Sequence, residues 1–577
     1  MMDEATLAAI QTASATLGWP SGPRPAQLEV LEPLFAGKNV LAILPTSAGK
    51  SGIFQIPTMA RPGLTIVISP LVALMADQVQ KLIRRGVAAY VINNHTSAVD
   101  RKAALSAIEA GTAKFLYLSP ERLMGMTEAS FGASKIQMIA VDEAHCISEW
   151  GHDFRPAYMR LGTTLSKVAP GAQIVALTAT ATDQVAEEIC RVLPLGPNPV
   201  KIVKSPNRSN ITYGVAGSKY SVPALVEIGG LPSLVYGSTR VSVEEAAVLL
   251  QRSGVSSAAY HAGMPREQRM QVQDDFLAGK IDVVCATNAF GMGVDHAGIR
   301  SVIHLEMPTS LEAYMQESGR AGRDGLPSIA ICRATLDTLS VARSMVGLSW
   351  PTPNAVRDFW RKLLPLFLAR PGKWEGEGRI QLTNKEIADR VSGHEAEVGS
   401  CLRILHDADV IHRVAYQDRP VSVQLLSGSK ALKGSRQRKV IATLEAHADA
   451  GGEVLGSVAF FWNVIGLDRA YAMELNERGA IRFTWVERCQ LLEQRVFGPD
   501  IQIDDDQIHR IRRRSLARID RSGGYLSNLV TCRRQYLLAY FGVEAKGEAL
   551  GRCCDRCPPL VPVPSTSVAS DAQESPR

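Results

Sequence analysis

From about residue 38 to residue 340 the chain alternates short apolar runs with stretches of helical spacing, and this alternation constrains its fold more than any other feature. NVLAIL, LTIVISP, AKFLYLSP, IQMIAVDE and AQIVALTAT form a first series, and PSLVYGS, SSAAYHAG, IDVVCATN, IRSVIHLEMP and PSIAICRAT form a second. Short continuous apolar runs separated by helices predict parallel strands buried on both faces, an α/β layer fold. Two successive series predict two lobes of similar construction. The Pro- and Asn-rich segment PLGPNPVKIVKSPNRSN reads as the linker between them.

A chain of 577 residues suggests several domains. With 46% hydrophobic and 21% charged residues, most of it can bury a core. The net charge of +6 permits a polyanionic partner without demonstrating one. The N-terminal MMDEATLAAIQ lacks the basic-then-apolar order of a secretory signal, and no stretch reaches the ~18 apolar residues of a membrane span. The expected location is cytoplasmic. Six cysteines are scattered singly, as befits reduced, buried packing residues.

Three motifs carry chemistry. LPTSAGKS lies between an apolar run and a helical segment, the arrangement that cradles phosphate on backbone N–H groups at a helix start. Its Thr46, Ser47, Ala48 and Gly49 would line the nucleotide, Lys50 would reach the β/γ-phosphates, and Ser51 would ligate Mg²⁺. The loop has Leu44 where the usual pattern begins with Gly, so a surface turn with a chance Gly-Lys-Ser stays open. VDEAH ends an apolar run, so Asp142 and Glu143 face the crevice beyond a strand end. Asp142 would hold Mg²⁺ through water, and Glu143 would orient and deprotonate the attacking water. An acidic helix start is the alternative. QESGRAGRDG spaces Arg320 and Arg323 on one helical face, suited to charge stabilisation at a transferring phosphoryl group. A solvated basic face is the alternative, weakened by the two internal glycines.

Further along, LTNKEIADRVSGHEAEVGSCLRILHDADVIHRV shows helical spacing twice and ends in a strand-like run. It fits a winged helix, or equally a small helical domain with amphipathic faces. Residues 434–500 carry no legible pattern. Cys532, Cys553, Cys554 and Cys557 crowd the C-terminal region, and four thiolates suit tetrahedral Zn²⁺; reduced or redox-active thiols are the other reading. The tail from Pro558 has a composition that buries little and is expected to be disordered.

These stretches together resemble the RecQ family of superfamily-two DNA helicases. DEAHCISEWGHDFRPAY is the most specific, and RPAQ, ISPLVALMADQV, YLSPERL, ALTATAT, VYGSTR, YHAGM, ATNAFGMGVD and SLEAYMQESGRAGRDG agree in order from about 17 to 335. The resemblance implies two tandem RecA-like parallel-sheet lobes, a winged-helix-like region and a small zinc-binding helical module. On it the domains are lobe 1 at 1–200, lobe 2 at 201–345, an accessory region at 350–500, the zinc module at 505–557 and a tail at 558–577. It implies a DNA-stimulated ATPase and 3′→5′ DNA helicase in repair or recombination, using ATP, Mg²⁺ and Zn²⁺ and partnered by single-stranded DNA and duplex junctions. The rival functions are an RNA helicase or RNP remodeller, and a nucleic-acid-binding switch without turnover.

The resemblance also assigns roles. Arg24 and Gln27 would recognise adenine, with Trp19 packing nearby. His145 would couple the ATP site to DNA. Trp150, Phe154 and Arg155 would sense single-stranded DNA. Gln316, Arg320 and Arg323 would complete the ATP site from lobe 2, and Arg240, His261 and Thr287 would track the DNA backbone. Three departures stand out. Ser47-Ala48 replaces two glycines, Glu149 replaces Gln, and Gly551 stands where the first of three closely spaced cysteines is expected, so that Cys553 would substitute.

Overall fold

The computed structural model describes residues 2–557 apart from 47, 94–95, 133, 149–154, 289, 291–295, 335–337, 369–377, 392, 418–420, 432–433, 450, 457–459, 485–488 and 544–552. The expectations for Ser47, Glu149, Trp150, Phe154, Gly551 and the tail 558–577 therefore lie outside the described residues. The chain divides into two compact units. One comprises residues up to 342 together with those from 517 onward, and the other is 343–516.

The first unit holds two parallel sheets. Lobe 1 contains β1 (Val40–Ile43), β2 (Leu64–Ile68), β3 (Ala89–Ile92), β4 (Phe115–Leu118), β5 (Ile136–Val141), β6 (Gln173–Thr178) and β7 (Val200–Val203), in the order β3-β4-β2-β5-β6-β1-β7. Alternate residues feed opposite faces. Leu41, Ile43, Ile66, Ile68, Ile139 and Val141 join one core, whereas Val40, Ala42, Val67, Met138 and Ala140 join another. Both faces are covered, which is why these strands read as unbroken apolar runs.

Lobe 2 contains β8 (Ile211–Gly217), β9 (Ser233–Tyr236), β10 (Ser257–Tyr260), β11 (Val283–Ala286), β12 (Ser301–His304) and β13 (Ser328–Ala334), in the order β10-β11-β9-β12-β13-β8. The expected linker is only partly a linker. Its VKIV is β7, paired in parallel with β1 through Val40↔Val200 to Ile43↔Val203. A lobe boundary at 200 would cut this strand, so the first sheet extends to Val203. Strands β3, β7 and β8 carry half-buried or polar positions and lacked the continuous apolar signature.

The C-terminal residues of this unit pack on lobe 2. Tyr525, Leu537, Phe541, Cys553 and Cys554 share a core with Tyr213, Tyr314 and Val302. Cys553–Asp555 runs alongside β8: Tyr213 donates its N–H to the Cys553 carbonyl (3.0 Å), and Asp555 donates its N–H to the Tyr213 carbonyl (3.1 Å). This covers the edge strand of the sheet.

In the second unit, helix Pro353–Leu368 is followed by β14 (Arg379–Leu382), helices Asn384–Val391 and Glu395–Asp407, β15 (Ile411–Gln417) and, much later, β19 (Cys489–Gln494). These strands form an antiparallel sheet in the order β14-β19-β15. Between β15 and β19 the chain builds a second antiparallel sheet, β17-β16-β18, from β16 (Val421–Leu425), β17 (Glu453–Gly456) and β18 (Ile481–Thr484). It has its own core of Val421, Val423, Leu444, Phe461, Leu467 and Leu475. No helix among the described residues is long and apolar enough to cross a membrane.

Candidate active site and zinc centre

Three adjacent parallel strands deliver the lobe 1 residues. β1 leads to Lys50, β5 to Asp142, and β6, between them, ends on Thr178. Because the strands are parallel, all three C-terminal ends open on one crevice. Helix Lys50–Ala60 begins with Gly49 in the left-handed region at φ 73°, a geometry that favours glycine. Gln27 locks this turn. Its Nε2 donates to the Gly49 carbonyl (2.7 Å) and its Oε1 accepts the Arg24 N–H (2.7 Å). A side chain at Gly52 would meet both Gln27 Nε2 and the Trp19 ring. The residues expected around adenine thus back the phosphate loop directly. Ala48 is buried in that loop.

Ser51 Oγ accepts a hydrogen bond from Gln78 Nε2 (3.2 Å), a partner in ISPLVALMADQV that sequence reasoning did not single out. Glu143 sits in the left-handed region at φ 48° and ψ 47°, a strained conformation for a non-glycine residue, and its N–H donates to Asp142 Oδ1 (3.0 Å). His145 Nδ1 lies 2.9 Å from Thr178 Oγ1 and 3.3 Å from Glu143 Oε2. Tyr158 Oη donates to the Asp142 carbonyl (3.2 Å). Arg155 anchors the chain after the aromatic loop, with Nη1 donating to the Pro70 carbonyl (2.9 Å).

Burial, with Glu143 next, pushes the Asp142 carboxyl up to about 7. Such a buried carboxylate pair suits a bound cation, which would favour both charged forms. Burial lowers the Lys50 ammonium, opposed by the charges of Glu143 and Asp142 and reinforced by those of Arg323 and Arg320. Residues of both lobes therefore act on one ammonium. The lobes also touch, for Thr46 Oγ1 donates to the Gly319 carbonyl (3.2 Å), and a side chain at Gly319 would collide with that hydroxyl. Gln316 lies on helix Leu311–Ser318, which leads into the turn carrying Arg320 and Arg323. Arg320 is buried.

Arg240, His261 and Thr287 follow β9, β10 and β11, which are neighbours in the sheet, so all three share one edge of lobe 2. Arg240 lies over Gly263, and His261 Nε2 is 2.7 Å from Glu244 Oε1.

The structure brings Cys532, Cys553, Cys554 and Cys557 together, their sulfurs all within 4.8 Å of one another. The Sγ–Sγ separations of 3.2 Å (Cys532–Cys553), 3.4 Å (Cys553–Cys557), 3.6 Å (Cys554–Cys557) and 3.7 Å (Cys532–Cys554) approach the edge of about 3.8 Å expected for a ZnS₄ tetrahedron. Four cysteine sulfurs at this spacing offer the tetrahedral thiolate set that Zn²⁺ takes. Beside it Arg533 and Asp555, 0% and 1% exposed, form a 2.5 Å ion pair.

Two RecA-like lobes, with a phosphate loop and acidic pair in one facing paired arginines from the other, define the motor core of a superfamily-two helicase. The comparisons take this further. The DEAD/DEAH box helicase family matches residues 24–189, the helicase conserved C-terminal domain 224–325, and RecQ zinc-binding 490–558. The chain is 41% identical over 330 residues to the ATP-dependent DNA helicase RecQ of Pasteurella multocida, covering 56% of this chain and 51% of that protein. It is 39% identical over 347 residues to the probable ATP-dependent DNA helicase RecS of Bacillus subtilis, covering 58% and 69%. It is 36% identical over 343 residues to the ATP-dependent helicase SGS1 of Saccharomyces cerevisiae, covering 56% and 23%. The chain belongs to the RecQ family. It spans about half the length of the Pasteurella multocida protein, at 51%, and of the ATP-dependent DNA helicase RecQ of Haemophilus influenzae, at 50%.

Proposed function

We propose that the protein is a DNA-stimulated ATPase that translocates 3′→5′ on single-stranded DNA and separates duplex strands. The observation that carries this is the contact of the two lobes at the phosphate loop, where Thr46 Oγ1 donates to the Gly319 carbonyl (3.2 Å) and so sets Lys50, Asp142 and Glu143 of one lobe against the turn bearing Arg320 and Arg323 of the other. A site built from two lobes makes hydrolysis depend on closure, and closure is what advances a motor. Lys50 and Ser51 would hold the phosphates and Mg²⁺, Asp142 the metal through water, and Glu143 the attacking water. Arg24, Gln27 and Trp19 would lie towards the base, Gln316 would complete the site, and His145 would pass its state to DNA. Trp150, Phe154 and Arg155 would read single-stranded DNA, with Arg240, His261 and Thr287 along its backbone.

The relatives are named as DNA helicases, which favours DNA over RNA as the substrate. The protein would act in repair or recombination, and in the cytoplasm, a compartment in keeping with the six cysteines that stand singly as thiols. Helix Pro353–Leu368 together with β14, Asn384–Val391, Glu395–Asp407, β15 and β19 would form a winged helix. The test is unwinding of duplexes tailed at the 3′ or the 5′ end, with ATP and with a non-hydrolysable analogue. ATP-dependent displacement of the 3′-tailed substrate alone is expected; displacement without hydrolysis, or only from a 5′ tail, would refute the reading.

A further inference from the structure

The residues between β7 and β8 read in sequence as a connector, but their side chains are spent on the arginine turn. Arg208 is buried. Its Nη1 donates to the Gly319 carbonyl (2.9 Å), and its Nη2 donates to those of Ala321 (3.1 Å) and Gly322 (2.7 Å). Asn210 Nδ2 donates to Gly322 (2.8 Å) and Leu326 (2.9 Å). The carbonyls of Gly319 and Ala321 flank Arg320, and that of Gly322 directly precedes Arg323. A planar guanidinium presents its N–H donors in a rigid fork and so holds several carbonyls in one fixed geometry, whereas the donors of an ammonium rotate on a flexible stem. The turn needs such support because it contains Gly319 and Gly322, the latter at φ 56°, and glycines leave a backbone conformationally loose.

The clamp is itself held from behind. Arg534, buried and two residues beyond the zinc ligand Cys532, donates through Nη2 to the carbonyls of Ser209 (3.2 Å) and Ile211 (2.7 Å), which flank Asn210. One run of hydrogen bonds therefore leads from the zinc centre through Ser209–Ile211 to the turn bearing Arg320 and Arg323. At its far end, the Gly319 carbonyl is shared between Arg208 and Thr46 of the phosphate loop.

We propose that Arg208 is a positioning residue for hydrolysis. It fixes the Gly319–Gly322 backbone so that Arg320 and Arg323 meet the transferring phosphoryl group, and Arg534 keeps Arg208 in place. Arg208 acts through the arginine turn and touches no reacting atom. The inference rests on the helicase reading above. Displacing a catalytic group by about 1 Å can cost on the order of 10²-fold in rate, so an unclamped turn should show its effect in turnover rather than in nucleotide binding.

The test uses the full-length chain as wild type, R208A, R208K, R323A and R208A/R323A. DNA-stimulated ATPase is measured alongside binding of a fluorescent ATP analogue, single-strand binding and zinc content. R208A should lose on the order of 10²-fold in kcat, with KM for ATP and strand affinity within about twofold. R208K should recover only part of the loss. Adding R208A to R323A should cost less than R208A costs in the wild type, because only Arg320 is then left to position. If R208A fails to fold, as melting and zinc content would reveal, Asn210→Ala carries the same test without deleting a charge. A wild-type kcat in the folded variant, an equal loss in nucleotide binding, or multiplying losses in the double variant would overturn the clamp alone. A wild type without DNA-stimulated turnover would overturn the helicase reading and the clamp with it.

Discussion

The His145 imidazole and the Thr178 hydroxyl meet at 2.9 Å, joining the DEAH segment after β5 to the end of β6. Both groups are buried, so the contact is shielded from competing water. Thr178→Val keeps the volume and removes the hydroxyl. DNA-stimulated kcat should fall roughly tenfold, from about 1–2 kcal/mol of lost positioning, with KM for ATP unchanged. Unwinding rate divided by hydrolysis rate should fall as well, and an unchanged ratio would remove this pair from the coupling path.

Lys50→Ala should abolish hydrolysis by removing the cation that neighbours the acidic pair and would reach the γ-phosphate. Glu143→Gln should instead preserve nucleotide binding while lowering turnover by roughly 10²–10⁴-fold, the contribution of a positioned general base. Binding of a fluorescent ATP analogue, measured beside phosphate release, separates the two. Full turnover in the glutamine variant would move the base elsewhere.

The buried Arg533–Asp555 pair predicts a stability effect. Asp555→Asn leaves a guanidinium at 0% exposure without its counter-charge. Breaking such a pair from one side costs roughly 3–5 kcal/mol. The variant's melting midpoint should drop, with the loss concentrated in the zinc module and the β8 edge it covers. Hydrogen exchange at Tyr213 and Val215, which pair with Cys553–Asp555, would report it.

The zinc centre allows Cys553 to be tested directly. If Cys553 takes the place of the cysteine expected at Gly551, Cys553→Ser should lower zinc affinity by more than the roughly 10–100-fold typical of outer-sphere changes. Zinc released to a colorimetric chelator on titration measures it. Wild-type retention would leave three cysteines and an outside ligand holding the ion.

The second unit offers a topological prediction. Gln417 and Cys489 are register partners across β15 and β19, so the chain leaves and re-enters at one hairpin mouth. Replacing residues 418–488 with a two-residue Asn-Gly turn should preserve the first sheet and its separate core of Trp360, Leu402 and Leu492. A soluble product with cooperative melting and ATPase close to wild type are expected; an insoluble product would mean that the inserted module supports its host.

The sequence was most legible where one local rule decided the outcome. Ten apolar runs became buried parallel strands because burial on both faces suppresses the polar alternation that blurs a strand. Strand-end motifs placed Lys50, Asp142 and Glu143 at one crevice for the same reason. Residues 434–500 stayed illegible because β19 pairs with strands far back in the chain, and the inserted sheet separates them.

Neighbours along the chain were enough to define the class: two α/β lobes, a phosphate loop, an acidic pair, two arginines and four clustered cysteines. Long-range contacts alone reveal that β7 extends the first sheet, that the zinc segment covers the edge of β8, and that Arg208, Asn210 and Arg534 hold the arginine turn. Those contacts join residues as far apart in the chain as Tyr213 and Asp555, and a guanidinium that donates to distant carbonyls leaves no period or spacing in the chain that contains it.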